Sequence, residues 1–213
     1  MGNGLILVAA SGLALETAEA ARAAGLEVAG CVDDDAARWG GSAGGWLPIL
    51  GALDLVVKHS DLRLVICAGR GVVRERIFGR LRALGVPDDR YATVVHPSVT
   101  VPPSCEVGAG SVVLAGAVLT ATVTVRRHVV VMPNVTLTHD DVVDDFATLC
   151  AGATLGGAVR IGRAAYVGMA ASVREEVSVG AAATLGMGAV LLRDLPPGQT
   201  WAGVPARPLS HNA

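Results

Sequence analysis

From Val95 onward every sixth residue is aliphatic. The series is Val95, Val101, Val107, Val113, Leu119, Val125, Val131, Leu137, Val143, Leu149, Leu155, Ile161, Val167, Val173, Val179, Leu185 and Leu191, seventeen positions holding only Val, Leu or Ile. Gly follows the aliphatic residue at Gly108, Gly162, Gly168, Gly180 and Gly186. A small residue stands four places on at Ser111, Ala117, Ala147, Ala153, Ala165, Ala171, Ala183 and Ala189. An amphipathic helix repeats its apolar face about every 3.6 residues, so this period belongs to a different architecture, the parallel β-helix. Composition agrees, with 52% hydrophobic residues, only 3% aromatic and 27 Gly, which suits a core of small and β-branched side chains. The rhythm also decides Val107–Val125, a 19-residue stretch without a charge. By length it matches a membrane span, but its hexads read as three rungs of a solenoid.

The N-terminal third follows another grammar. Leu5–Ala10 reads as a buried strand, Leu13–Ala24 as an Ala-rich helix stopped at Gly25, and Leu26–Val32 as a second strand. Asp35–Gly51, with Trp39 and Trp46, reads as a loop. Leu62–Ala68 is a third strand, Val72–Leu84 a helix and Ala92–Val95 a last strand. Alternating strands and helices with short connections imply a small parallel α/β sheet of Rossmann-like type that caps the solenoid. The expected division is an α/β domain over 1–94, the β-helix over 95–196 and a C-terminal cap over 197–213.

Seventeen Lys and Arg against nineteen Asp and Glu give a formal charge of −2, which offers no footprint for nucleic acid or an anionic membrane. Cys31, Cys67, Cys105 and Cys150 form no CxxC pair and fit buried thiols in a reducing cytosol. No Lys or Arg precedes Leu5–Ala10, and Glu16 follows, which argues against a signal peptide. A cytoplasmic protein is the expectation.

Few residues carry candidate chemistry. The turn Ala9-Ala10-Ser11-Gly12-Leu13-Ala14 has one Gly where a dinucleotide motif needs three, so NAD is not indicated. Its helix start could still receive a phosphate through Ser11 and Gly12, with Asp33, Asp34 and Asp35 placed for a ribose or base. His96, His128 and His139 fall on three different faces, so no metal is expected. His139 stands in Thr138-His139-Asp140-Asp141, where polar residues interrupt the apolar repeat. Eighteen residues further lies Gly157, placing bare backbone one coil from the imidazole. A base beside an open amide suits acyl transfer, with the imidazole taking a proton and the amide holding an oxyanion. The alternative is a surface His at a coil corner.

Val32-Asp33-Asp34-Asp35, Ala68-Gly69 with Arg74, His96-Pro97-Ser98, His139-Asp140 and Ala202-Gly203-Val204-Pro205-Ala206-Arg207 together carry a family resemblance. The chain resembles the hexapeptide-repeat nucleotide-sugar N-acetyltransferases, relatives of the sialic acid O-acetyltransferases. The resemblance implies a left-handed β-helix, a homotrimer, and acetyl-CoA held in grooves between subunits. It implies His139 as general base with Asp140 as its partner. It further implies acetyl-CoA contacts at Thr148, Gly168, Met169, Gly186 and Arg207, and a nucleotide-sugar site at Ser11, Gly12, Leu13, Asp33, Asp34, Gly69 and Arg74. Three departures stand out: Leu13 replaces an imidazole in the first turn, Thr148 replaces a second His, and Asp141 occupies an inward position that wants a small residue. Leu13 predicts weak binding of ordinary nucleotide sugars or an acceptor with an apolar group against it. Sugar O-acylation and a noncatalytic sugar-nucleotide-binding β-helix are the alternatives.

Overall fold

One hexad buries one aliphatic side chain and makes no core alone, so three close into a triangular coil and the coils stack. In the computed structural model, which describes residues 4–209, two-residue strands recur every six residues. Each pairs in parallel with the strand eighteen positions on, as Thr124 with Val142 and Val130 with Thr148. The result is a left-handed parallel β-helix. Its inward column, from Val113 to Leu191, forms one continuous apolar core. Corners turn through residues in the left-handed region, among them Thr122, His128, Asn134, Asp140 and Phe146.

The prism has three unlike faces. A covered face carries Val94–Val95, Val112–Val113, Val130–Val131, Thr148–Leu149, Tyr166–Val167 and Thr184–Leu185. A charged face carries Glu106–Val107, Thr124–Val125, Val142–Val143, Arg160–Ile161 and Ser178–Val179. A neutral face carries Val118–Leu119, Thr136–Leu137, Thr154–Leu155, Ser172–Val173 and Val190–Leu191.

Residues 4–83 build a layer over the covered face. Its elements are β1 (Gly4–Val8), α1 (Gly12–Ala23), β2 (Glu27–Val32), β3 (Ser42–Ala43), β4 (Leu47–Gly51), α2 (Leu55–Lys58), β5 (Arg63–Ile66) and α3 (Gly71–Ala83). The sheet order is β3-β4-β2-β1-β5, parallel except for β3. Leu13, Ala14 and Ala18 of α1 share a core with Val112, Leu114 and Val130 of the solenoid. The outward side chains Val94, Val112, Val130 and Thr148 are therefore all buried.

Three expectations change. Asp35–Gly51 is no loop: β4 pairs with β2, burying Leu47 and Ile49 and exposing Pro48 and Leu50. The alternation is short, and Pro48 within it and Gly51 at its end concealed it. Val94–Val95 belongs to the solenoid, pairing with Val112–Val113, although Ala92 still donates to Leu64 O at the edge of β5. Thr200–Ala202 also extends the solenoid, pairing with Thr184–Leu185 after a step shortened to sixteen residues, with Trp201 in the core. The tail from 197 is thus the last rung as well as a cap.

Arg74 bolts the layer to the β-helix. It is 1% exposed. It donates to Ala68 O and Gly69 O on its own side, and to His128 O, Phe146 O, Ala147 O and Thr148 Oγ1 across the interface. Burial pulls its pKa down to about 10, which leaves it charged at neutral pH. A guanidinium committed to six protein oxygens is closed to a substrate, which corrects its expected role there. Gly71 completes the close approach, since a Cβ there would overlap the Phe146 carbonyl. Beside it Phe78, Tyr91, His128 and Phe146 stack, with His128 and Phe146 rings 5.0 Å apart and 7° from parallel.

Two outcomes follow from this interface. Arg74→Ala strands several buried carbonyls and should lower the unfolding free energy by about 3 kcal/mol or more, read by urea denaturation. Burial, with Arg127 and Arg74 nearby against Asp145 and Asp88, lowers the His128 pKa from 6.5 to about 4. The unfolded chain therefore takes this proton first, so stability is complete above pH 6.5 and is lost as pH falls toward 4. His128→Phe should flatten that acid limb in pH-dependent melting.

Candidate active site

The corner 138–141 joins the neutral face to the charged face, which puts it on the prism edge opposite the covered face. Asp140 takes the left-handed turn position with φ 63°, a conformation that Asp tolerates better than most residues. This turn throws the His139 side chain outward, where it is 67% exposed. Its Nδ1–H donates to Asp140 Oδ2 at 2.8 Å, leaving Nε2 as the acceptor. The Asp140 carboxylate is fixed from the preceding coil, where Thr122 Oγ1 donates to Oδ1 at 2.6 Å. Those two bonds, Thr122 first and His139 second, hold the Asp140 carboxyl below its ordinary pKa.

Gly157 lies against the imidazole. A Cβ there would overlap Nε2 and Cε1 of His139, so only glycine admits the ring in this position. Ala158 N donates to His139 O at 2.8 Å, tying the two corners together. An imidazole with an unbonded Nε2, a carboxylate behind it and bare backbone beneath it can accept a proton during attack on a carbonyl.

On the far side of the prism a cleft opens at the carboxyl ends of β1 and β5, where open α/β sheets place ligands. Its volume is about 400 Å³, and Ala9, Ser11, Gly69, Arg70, Met132 and Tyr166 border it. Ser11 caps α1, accepting from Ala14 N and donating to Cys67 O. Gly12 is exposed with open space where a side chain would stand. Asp33 Oδ2 accepts Ala10 N at 2.8 Å and pairs with Arg38, while Oδ1 caps Asp35 N. Asp34 pairs with Arg80, which holds its carboxyl below the usual range.

Two expected contacts are closed off. Leu13 is 6% exposed and packs in the core shared by α1 and the solenoid. It is packed in that core and is not part of the cleft wall. Thr148 is fully buried on the covered face, donating to Gly69 O and accepting from Arg74, and no cofactor reaches it. Gly168, Met169 and Gly186 stand at the other edge of the neutral face, with Met169 51% exposed. Arg207 is exposed and folds back on Ala206 O. Among the described residues no group of three His, Cys, Asp or Glu side chains gathers to hold a metal, and no helix is long and apolar enough to cross a membrane.

Comparison with known proteins decides the relationship. No family model matches the chain, and no curated protein sequence does. Solved structures do. The acetyltransferase domain of PglB from Neisseria gonorrhoeae, in complex with acetyl coenzyme A, is 34% identical over 98% of this chain and 100% of that one, with a TM-score of 0.88. The chain belongs to the hexapeptide-repeat nucleotide-sugar N-acetyltransferases. PerB from Caulobacter crescentus, in complex with CoA and GDP-perosamine, is 29% identical with 97% of each chain covered and a TM-score of 0.87. WeeI from Acinetobacter baumannii is 27% identical over 96% of this chain and 99% of that one, with a TM-score of 0.85.

Within this acetyltransferase fold the sequence reading missed Thr122, which a count of eighteen back from Asp140 would have found. It also missed Arg70, Met132 and Tyr166 at the cleft, which only the packing of the layer brings together. Gly157→Ala tests the corner directly. The backbone accepts Ala there and the imidazole can swing away, so the variant should fold normally. A crystal structure should show His139 displaced from Asp140; an unmoved ring would contradict the contact.

Proposed function

We propose that this chain transfers the acetyl group of acetyl-CoA to the amine of a nucleotide-linked amino sugar. The observation that carries the reading is the exposed His139–Asp140 pair set over Gly157, in a chain whose structural relatives bind acetyl-CoA, CoA and GDP-perosamine. His139 Nε2 removes a proton from the amine nitrogen as that nitrogen attacks the thioester carbonyl. The Gly157 N–H stabilises the oxyanion so formed. On its collapse the C–S bond breaks, and the imidazolium returns the proton to the departing thiolate. No acyl-enzyme is needed. Asp140 orients the ring through the bond from Nδ1–H to its Oδ2.

The nucleotide belongs in the cleft on the covered side, with Ser11 and Gly69 on its wall and Gly12 beside them, while Asp33 and Asp34 line a neighbouring hollow that shares Ala9 with it. His139 of the same chain lies on the opposite edge, so we place the complete site between chains of a homotrimer. The neutral face favours such packing, because Val118, Thr136, Thr154, Ser172 and Val190 present a flat surface without charge. Gly168, Met169, Gly186 and Arg207 remain candidates for acetyl-CoA along that face. Four free buried thiols suit a reducing cytoplasm.

Thiol release with a panel of nucleotide-linked amino sugars tests the reaction. The account expects amine-dependent release, with His139→Ala reducing kcat by roughly 10²–10⁴-fold and Asp140→Asn by less. Release that requires only a sugar hydroxyl would establish O-acylation instead, and near-normal turnover in His139→Ala would end the mechanism.

A further inference from the structure

The corner that carries His139 is also where the ladder between coils opens. Among the described two-residue strands of the solenoid, every stacked pair is joined through both residues except one. On the neutral face Val118 and Leu119 pair with Thr136 and Leu137, and Thr154 and Leu155 with Ser172 and Val173. Between them only Thr136 and Thr154 are paired. The amides show the reason. Thr120 N donates to Leu137 O, Gly156 N to Val173 O and Arg174 N to Leu191 O. Thr138 N instead turns inward to Asp141 Oδ2 at 2.8 Å, and the Thr138 hydroxyl takes its place on Leu155 O at 3.1 Å.

Asp141 stands in an inward column otherwise filled by Cys105, Val123, Val159, Val177 and Leu195. Its side chain is wholly buried, and its other oxygen accepts Val159 N in the next coil at 2.9 Å. Stacking alone does not call for a carboxylate. Ser111 makes the same tie to Val129 N at 2.9 Å, and the ladder that precedes it, Glu106 and Val107 against Thr124 and Val125, stays paired through both residues. Burying a carboxylate costs stability, and desolvation pushes the Asp141 pKa up to about 6 against the pull of the two amides. A cost taken one residue from His139-Asp140, together with a broken ladder, marks a local conflict accepted for function.

We propose that Asp141 is a positioning residue for the general base: it draws the Thr138 amide out of the ladder and ties the corner to Val159, which sets the His139 ring over Gly157. This rests on the reading of His139 as the base. Asp141 touches no reacting atom; it acts through the backbone of the corner.

The test uses the full chain with Asp141→Val, which restores the residue type of the column, and Asp141→Ser, which keeps only the tie to Val159. The thermal midpoint, the His139 imidazole resonances of the ligand-free protein, and kcat and KM are measured for each. Asp141→Val should melt at or above the parent, because a buried carboxylate is gone and the ladder can close. Its imidazole resonances should shift, and kcat should fall on the order of 10²-fold with the KM for acetyl-CoA unchanged. Asp141→Ser should fall between the two. Unchanged imidazole resonances with near-parental kcat in both variants would overturn the proposal, as would a kcat loss that merely follows a loss of folded protein. Should the parent release no thiol with any acceptor, the function reading fails by itself, and the imidazole resonances still decide the role of Asp141.

Discussion

The hydrogen-bond ladder with its eighteen-residue step is the constraint on which the rest of this molecule depends. Because every coil repeats the one before it, a residue's neighbours in space are fixed by counting. Thr122, Asp140 and Ala158 form one column of left-handed corners in this way, and Ala121, His139 and Gly157 the column beside it. The His139 corner is therefore assembled from three successive coils, each eighteen residues from the next. Such an arrangement holds a base in place with little entropy left to lose, because the backbone on both sides is already committed, through the ladder and, at Thr138, through Asp141.

The same regularity gives the prism unlike faces and so divides the chemistry. One face is buried beneath the sheet layer, with Arg74 and the aromatic cluster closing the seam. That layer brings the cleft proposed for the acceptor to the covered side, while the His139 corner lies on the edge farthest from it. On the proposed reading, neither half is a complete site. The uncharged face between the His139 edge and the Met169 edge is where a second chain would bring the halves together, and its small side chains allow two coils to approach closely.

The β-helix was legible in the sequence because its period is unlike that of any helix or ordinary strand, and because seventeen inward positions kept to three residue types. Counting by eighteen also places Gly157 beside His139, where the imidazole lies against it. The layer was less legible. Leu47–Gly51 is too short and too interrupted for its alternation to register, yet β4 is a full member of the sheet. Arg74 is a side-chain type common at binding sites, Leu13 and Thr148 stand where the family pattern has an imidazole, and nothing local distinguishes a ligand contact from a seam. Only the packing of α1 and α3 on the covered face settles them as interior. Asp141 lay between these cases: its position in the column was readable, while its effect on the ladder was not.

The central claim is that the base and the acceptor cleft meet only between chains. Two inactive variants test it: His139→Ala, which lacks the base, and Gly69→Trp, which fills the cleft at a position with open space for a side chain. After the two are mixed under conditions that let subunits exchange, random assembly pairs an intact corner with an intact cleft at about one interface in four, so thiol release should recover to roughly a quarter of the parental rate. A mixture no more active than its inactive parents, with exchange of subunits verified, would place the whole site within a single chain and contradict the account.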